Sequence, residues 1–237
     1  MPRVRVGSAF GVPIELGASF LLAIPVIAYL VGAQIAATAT LLNQLLDAGI
    51  DVAALSAGSL PWILGTVAAL GLFAGVLLHE FGHSVVAGRY GVPTESITLW
   101  FLGGLAHLEE FPDQWSRELA IAVAGPLVSL GLGVVCYLGF VALPAGMAPS
   151  RFVLAYLAVL NVTLAGFNLL PGFPMDGGRV LRALLSRNRS RVSATRIAAQ
   201  VGKAVAVLLG LAGILTFNFF SSSVGLLVAA IAVGLVM

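Results

Sequence analysis

Residues 61–88 read PWILGTVAALGLFAGVLLHEFGHSVVAG, a run with no Lys, Arg or Asp whose one carboxylate, Glu80, stands between His79 and His83 near its end. A helix needs about 20 residues to cross a hydrocarbon core of roughly 30 Å. The run is long enough for that, and it carries a polar cluster to a depth where ionisable side chains are costly and are retained for function.

Working outward, the rest of the chain repeats the first half of this pattern. Of 237 residues, 59% are apolar and 9% charged, against roughly 45–50% and 25% in soluble globular domains. The charges are clustered, leaving uncharged runs at Leu16–Leu46, Val52–His79, Leu119–Ser150, Phe152–Met175 and Ala204–Met237. This speaks against a soluble single-domain enzyme and for an all-α polytopic membrane protein. About six transmembrane helices are expected, near 14–37, 61–88, 118–143, 152–172, 199–217 and 219–237. The last two are cut by Asn218 and Ser221–Ser223, so five spans remain an alternative. Arg3 and Arg5 precede a run that is too long for a signal peptide and is interrupted at its start by Glu15, so a retained first span is expected.

With both termini cytoplasmic, the inner loops hold Arg3, Arg5, Arg89, Arg117, Arg179, Arg182, Arg187, Arg189, Arg191, Arg196 and Lys203, and the outer loops hold Arg151. Such an imbalance is the positive-inside signal. The net charge of +2 then reports orientation, and no nucleic-acid partner is expected. The single cysteine, Cys136, excludes an internal disulfide and any multi-cysteine metal site. A metal would have to be held by His, Asp or Glu.

Between the second and third spans, residues 94–110 form two runs around Gly103-Gly104, which predicts a small membrane-associated β-hairpin, because paired glycines supply the positive φ angles of a tight turn. The hairpin is either a structural cytoplasmic loop or a sheet edge able to pair with an extended peptide.

The chemistry centres on His79-Glu80-Phe81-Gly82-His83. Positions i and i+4 of a helix lie about 40° apart around the axis with about 6 Å of rise, so both imidazoles can reach one metal ion. Glu80 stands beside them, where it can take a proton from a metal-bound water. Chance would produce H-E-x-x-H in this composition with a probability on the order of one in a thousand. A catalytic zinc usually takes three protein ligands and leaves the fourth position for water. Asp176 is the best candidate for the third, as the only carboxylate between Glu118 and the end of the sequence. It sits among Pro171, Gly172, Pro174, Gly177 and Gly178, and irregular backbone at membrane depth is tolerated where it is buried in protein or lines a water-filled cavity. A loop aspartate capping the following helix is the alternative. His107 as a fourth ligand would close the coordination shell, so it is read as structural.

His79-Glu-Phe-Gly-His83 followed by Asn168-Leu-Leu-Pro-Gly-Phe-Pro-Met-Asp176-Gly-Gly-Arg179 resembles the site-2 protease family of intramembrane zinc metalloproteases. Gly103-Gly104-Leu-Ala-His107 and Ala124-Gly-Pro126 extend the likeness over roughly residues 8–190. The resemblance implies hydrolysis of peptide bonds within or next to transmembrane segments, with one Zn2+ per chain held by His79, His83 and Asp176. It further implies Glu80 as general base and acid, Asn168 as a polar contact for substrate backbone or oxyanion, and the hairpin as the strand that receives an unwound substrate. Expected partners are a single-span membrane-protein substrate, already trimmed, and the lipid bilayer, with the site open to the cytoplasmic side. A single domain over 1–237 is expected, with its catalytic core about 61–190. There is no room between residues 89 and 117 for the PDZ insertion of some relatives, and the sequence holds no CBS pair. The approach to the first span, Gly11–Ser19, lacks the histidine that many relatives carry. Two other classes are open on the residues alone: an ion or proton transporter using the His/Glu/Asp cluster, and a catalytically silent relative that binds membrane partners, against which Glu80 speaks.

Overall fold

The computed structural model describes residues 3–9, 11–100, 103–108 and 114–220. The chain divides into two compact units, Met1–Glu110 with Leu127–Ala165, and Phe111–Pro126 with Gly166–Met237.

The first unit begins with strands. β1 (Arg3–Ala9) runs antiparallel to β2 (Val12–Gly17), Arg3 facing Gly17 and Ala9 facing Val12. β2 lies parallel to β3 (Thr94–Trp100), with Ile14 beside Ile97 and Leu16 beside Leu99, and β3 runs antiparallel to β4 (Gly103–Leu108), giving a sheet of order β1-β2-β3-β4. In β2 the apolar residues Val12, Ile14 and Leu16 alternate with Pro13, Glu15 and Gly17, the period-2 pattern of a strand with two different faces. The expected first span near 14–37 therefore starts late: residues 14–17 belong to β2. Glu15, which breaks the apolar run, accepts a hydrogen bond from Thr98 Oγ1 on β3 at 3.3 Å.

The hairpin expected at 94–110 is present as β3 and β4, with a different register from the one the glycines suggested. Trp100 pairs with Gly103 and Leu99 with Gly104, so both glycines lie in β4 and neither supplies the turn.

α1 (Ala18–Ala33) and α2 (Ile35–Leu46) are bent by 72° at Gln34, whose backbone leaves the helical region at φ −110°, ψ 19°. The short α3 (Val52–Leu55) is capped by Asp51, whose Oδ1 accepts from the N–H groups of Ala53 and Ala54. α4 (Leu60–Arg89) is the axis of the unit. Phe73, Val76 and Phe81 of α4, Phe20 and Ala23 of α1, and Ile97 and Leu99 of β3 form one buried cluster between helix and sheet.

α5 (Trp115–Ala142) and α6 (Ala148–Asn168) contribute their residues 127–142 and 148–165 to this unit. Gly71 and Gly75 of α4, one turn apart, receive Leu157 and Asn161 of α6. A Cβ at Gly71 would stand 2.8 Å from Leu157 Cδ1, and one at Gly75 2.9 Å from Asn161 Oδ1. Small residues at such spacing let membrane helices pack with their backbones close. At the opposite end, Phe140, Phe152, Leu55, Ile50 and Leu42 build a second cluster. There the Arg151 guanidinium donates to the carbonyls of Ala48 at 2.8 Å and Phe140 at 3.2 Å and lies 4.4 Å from the Phe140 ring centre. Arg151, the basic residue assigned to the outer side, thus bonds to backbone carbonyls in the last turn of α5 and just beyond α2.

The second unit holds the first turns of α5, the last turn of α6, α7 (Asp176–Ser186) and α8 (Arg191–Phe220). Glu118 of α5, 2% exposed, pairs with Arg182 of α7, whose Nε donates to Oε1 at 2.6 Å, and lies 3.8 Å from Arg191 of α8. Three helices are tied by one buried carboxylate.

Among the described residues, four helices are long and apolar enough to cross a membrane: Leu60–Arg89, Trp115–Ala142, Ala148–Asn168 and Arg191–Gly213. Counting the bent α1–α2 pair as one span gives five. The expected sixth, 219–237, lies outside the described residues apart from its first two.

Candidate active site

α4 presents His79, Glu80 and His83 on its last turns. His79 is 3% and His83 2% exposed, and their Nε2 atoms converge to 3.2 Å. A tetrahedral zinc with Zn–N bonds of 2.0–2.1 Å separates two nitrogen ligands by about 3.3 Å. The imidazole pair fits two vertices of such a centre without rearrangement. The other nitrogen of His79, Nδ1, lies 2.9 Å from Ser129 Oγ on α5.

Glu80, half-buried, extends beside the pair towards β4. A Cβ at Gly104 would stand 2.5 Å from Glu80 Cγ and 3.1 Å from Oε1. Gly104 is glycine because the carboxylate chain lies against the strand at that point. The pairing of Gly104 with Leu99 across β3 fixes the height of that contact.

In the second unit, α6 ends at Asn168 and α7 starts at Asp176. The intervening chain folds through successive tight turns, with Leu170 N–H bonded to Phe167 O, Gly172 N–H to Leu170 O, Met175 N–H to Gly172 O and Gly178 N–H to Met175 O, all at 2.8–3.1 Å. Gly177 faces the carbonyl oxygens of Leu169 and Leu170 so closely that any Cβ would collide with them. Asp176, 8% exposed, lies in the first turn of α7, where the helix dipole favours negative charge, and 3.8 Å from Arg179 Nη1. The Arg182 guanidinium, held by Glu118, lies 5.2 Å from the Phe173 ring centre, which joins the ion pair to the turn segment.

The three H-E-x-x-H residues are thus gathered on one helix face, and Asn168 and Asp176 stand at the two ends of one folded segment. His107 lies in β4 opposite Ser96. Sequence reasoning missed Ser129, the contact of Gly104 with Glu80, and the Glu118–Arg182 pair. The pair left a trace, since two opposite charges in otherwise apolar surroundings invite pairing. A serine in an apolar helix leaves none.

Apolar spanning helices, a small mixed sheet against α4 and a buried H-E-x-x-H turn define an integral membrane protein of metallopeptidase type. The comparisons agree. The model of peptidase family M50 matches residues 67–152 and 145–209. A zinc metalloprotease of Methanocaldococcus jannaschii is 38% identical over 226 residues, 95% of this chain and 58% of its own. A relative from Synechocystis is 36% identical over 221 residues, 90% of this chain and 53% of its own. Among solved structures, the site-2 protease from Methanocaldococcus jannaschii superposes with a TM-score of 0.61 at 36% identity, covering 98% of this chain and 94% of that one. The chain belongs to peptidase family M50. It spans a little more than half the length of these two curated relatives.

Proposed function

We propose that the protein is an intramembrane zinc metalloendopeptidase that cuts membrane-protein substrates within or next to a transmembrane segment, the activity of regulated intramembrane proteolysis. The observation that carries this reading is the pair of buried imidazoles on α4 with Nε2 atoms 3.2 Å apart and a carboxylate on the next residue. The names of the relatives, a zinc metalloprotease and a site-2 protease, support it.

His79, His83 and Asp176 hold the metal, one ion per chain. Two neutral imidazoles and a carboxylate suit zinc, and buried ionisable groups at membrane depth call for such a partner. When bound, zinc lowers the pKa of a water towards about 7 and polarises the scissile carbonyl. Glu80 accepts the proton of the attacking water and returns it to the departing amine. Gly104 holds the Glu80 chain in place from the strand side. Asn168 donates its side-chain N–H to the developing oxyanion, where one positioned donor is worth about 3 kcal/mol. A hydrogen-bonded helix does not offer its carbonyls for attack, so the substrate unwinds first, and helix-weakening residues in the target favour cutting. The arginine distribution supports a cytoplasmic position for both termini and for the site's water access.

The test is metal dependence in detergent or liposomes. The purified protein is expected to carry about one zinc per chain, to lose cleavage of a single-span test substrate on chelation and to regain it with zinc. Cleavage that persists in metal-free protein contradicts the proposal; ion flux without cleavage supports a transporter instead.

A further inference from the structure

The contact between His79 and Ser129 reaches beyond the ligand set. Ser129 is fully buried at 0% exposure, in the interior of α5, and its Oγ stands 2.9 Å from His79 Nδ1. The same ring turns its other nitrogen, Nε2, towards His83 Nε2 at 3.2 Å, with the two ring planes inclined by 76°. The ring therefore has two distinct ends, one facing the second imidazole and one facing a hydroxyl on a different helix.

From this geometry we infer that Ser129 is a positioning residue for the metal centre, acting through His79. The inference rests on the reading of His79 as a zinc ligand. An imidazole that gives its Nε2 lone pair to a metal carries its proton on Nδ1, and that N–H must find an acceptor. The Ser129 hydroxyl oxygen is within hydrogen-bond distance of it. Accepting from Nδ1–H, the hydroxyl supports the tautomer whose Nε2 lone pair faces the metal, and the contact limits the ring's rotation about its Cβ–Cγ bond. The hydroxyl also makes the imidazole a better donor, since an acceptor on Nδ1–H pushes electron density towards Nε2. At 0% exposure, no bulk water replaces the hydroxyl when it is removed. α5 thereby takes part in the metal site without contributing a ligand.

Partners of this kind change metal affinity by about 10–100-fold when removed. The experiment compares wild type, Ser129→Ala, Ser129→Thr and His79→Ala as full chains in detergent, with zinc dissociation constants measured by competition with a chromophoric chelator. Ser129→Ala is expected to weaken zinc binding by about 10–100-fold, while Ser129→Thr, which keeps the hydroxyl, stays within about threefold of wild type. Imidazole 15N spectra give a second readout that a packing role would not move. With three histidines in the chain, the zinc-loaded His79 Nδ1–H is expected to exchange slowly with solvent in wild type and Ser129→Thr, and faster in Ser129→Ala. Unchanged zinc affinity and unchanged Nδ1–H exchange in Ser129→Ala overturn the inference. If His79→Ala binds zinc as tightly as wild type, the ligand assignment itself fails, and the two failures are told apart by that variant.

Discussion

At the scale of single residues, the site is a set of short contacts that assign each side chain one task. The i, i+4 spacing of His79 and His83 was legible in the sequence because a helix has one period and a metal has one size. Two imidazoles at that spacing can converge when their rotamers turn towards each other, and the structure has them at 3.2 Å. Gly104 was legible as a glycine and misleading as to its reason. It was expected to turn the hairpin, yet it pairs with Leu99 inside β4 and leaves room for Glu80. The missing signal is long-range: nothing local to residue 104 says that a carboxylate from residue 80 lies against it. Gly104→Val is therefore expected to displace Glu80 while leaving the histidines in place. Cleavage should fall about a hundredfold, as for displacements of about 1 Å at a reacting group, with zinc content unchanged by elemental analysis. Loss of zinc in that variant, or full activity, would count against the contact.

At the scale of elements, the long helices were readable because hydropathy measures length and apolarity together, the two quantities a span requires. Shorter features were lost for the same reason. Val12, Ile14 and Leu16 carry a period-2 pattern that belongs to β2, but a window wide enough to find a span averages it into the apolar run of α1. The 72° bend at Gln34 also escapes a window that tests only length and apolarity, because α1 and α2 together pass as one span. In the second unit, Glu118 ties α5, α7 and α8 through Arg182 and Arg191, and α7 begins at Asp176. Removing one member of a buried ion pair leaves the other charge uncompensated and costs about 3–5 kcal/mol. Glu118→Gln is expected to lower the thermal unfolding temperature in detergent and to weaken zinc retention, because α7 carries the proposed third ligand. A variant that melts with the wild type would show that the pair carries no such load.

At the scale of the whole molecule, the proposed orientation rests on the arginine distribution, which hydropathy does not address. Arg151 is the exception among them, and the structure shows it bonded to backbone carbonyls near the ends of helices. In intact cells a membrane-impermeant thiol reagent is expected to label Asp47→Cys, and to label Arg189→Cys only after permeabilisation; the reverse pattern would invert the topology. The central claim is that a glutamate beside two converging imidazoles performs peptide hydrolysis inside the membrane. It is tested most directly by reconstituting wild type and Glu80→Gln in liposomes with a single-span substrate, and measuring cleavage and bound zinc on the same samples. The account predicts that Glu80→Gln keeps about one zinc per chain and loses cleavage by at least about a hundredfold, within the range general acid–base catalysis supplies. Equal cleavage by the two proteins, at equal zinc content, would contradict it.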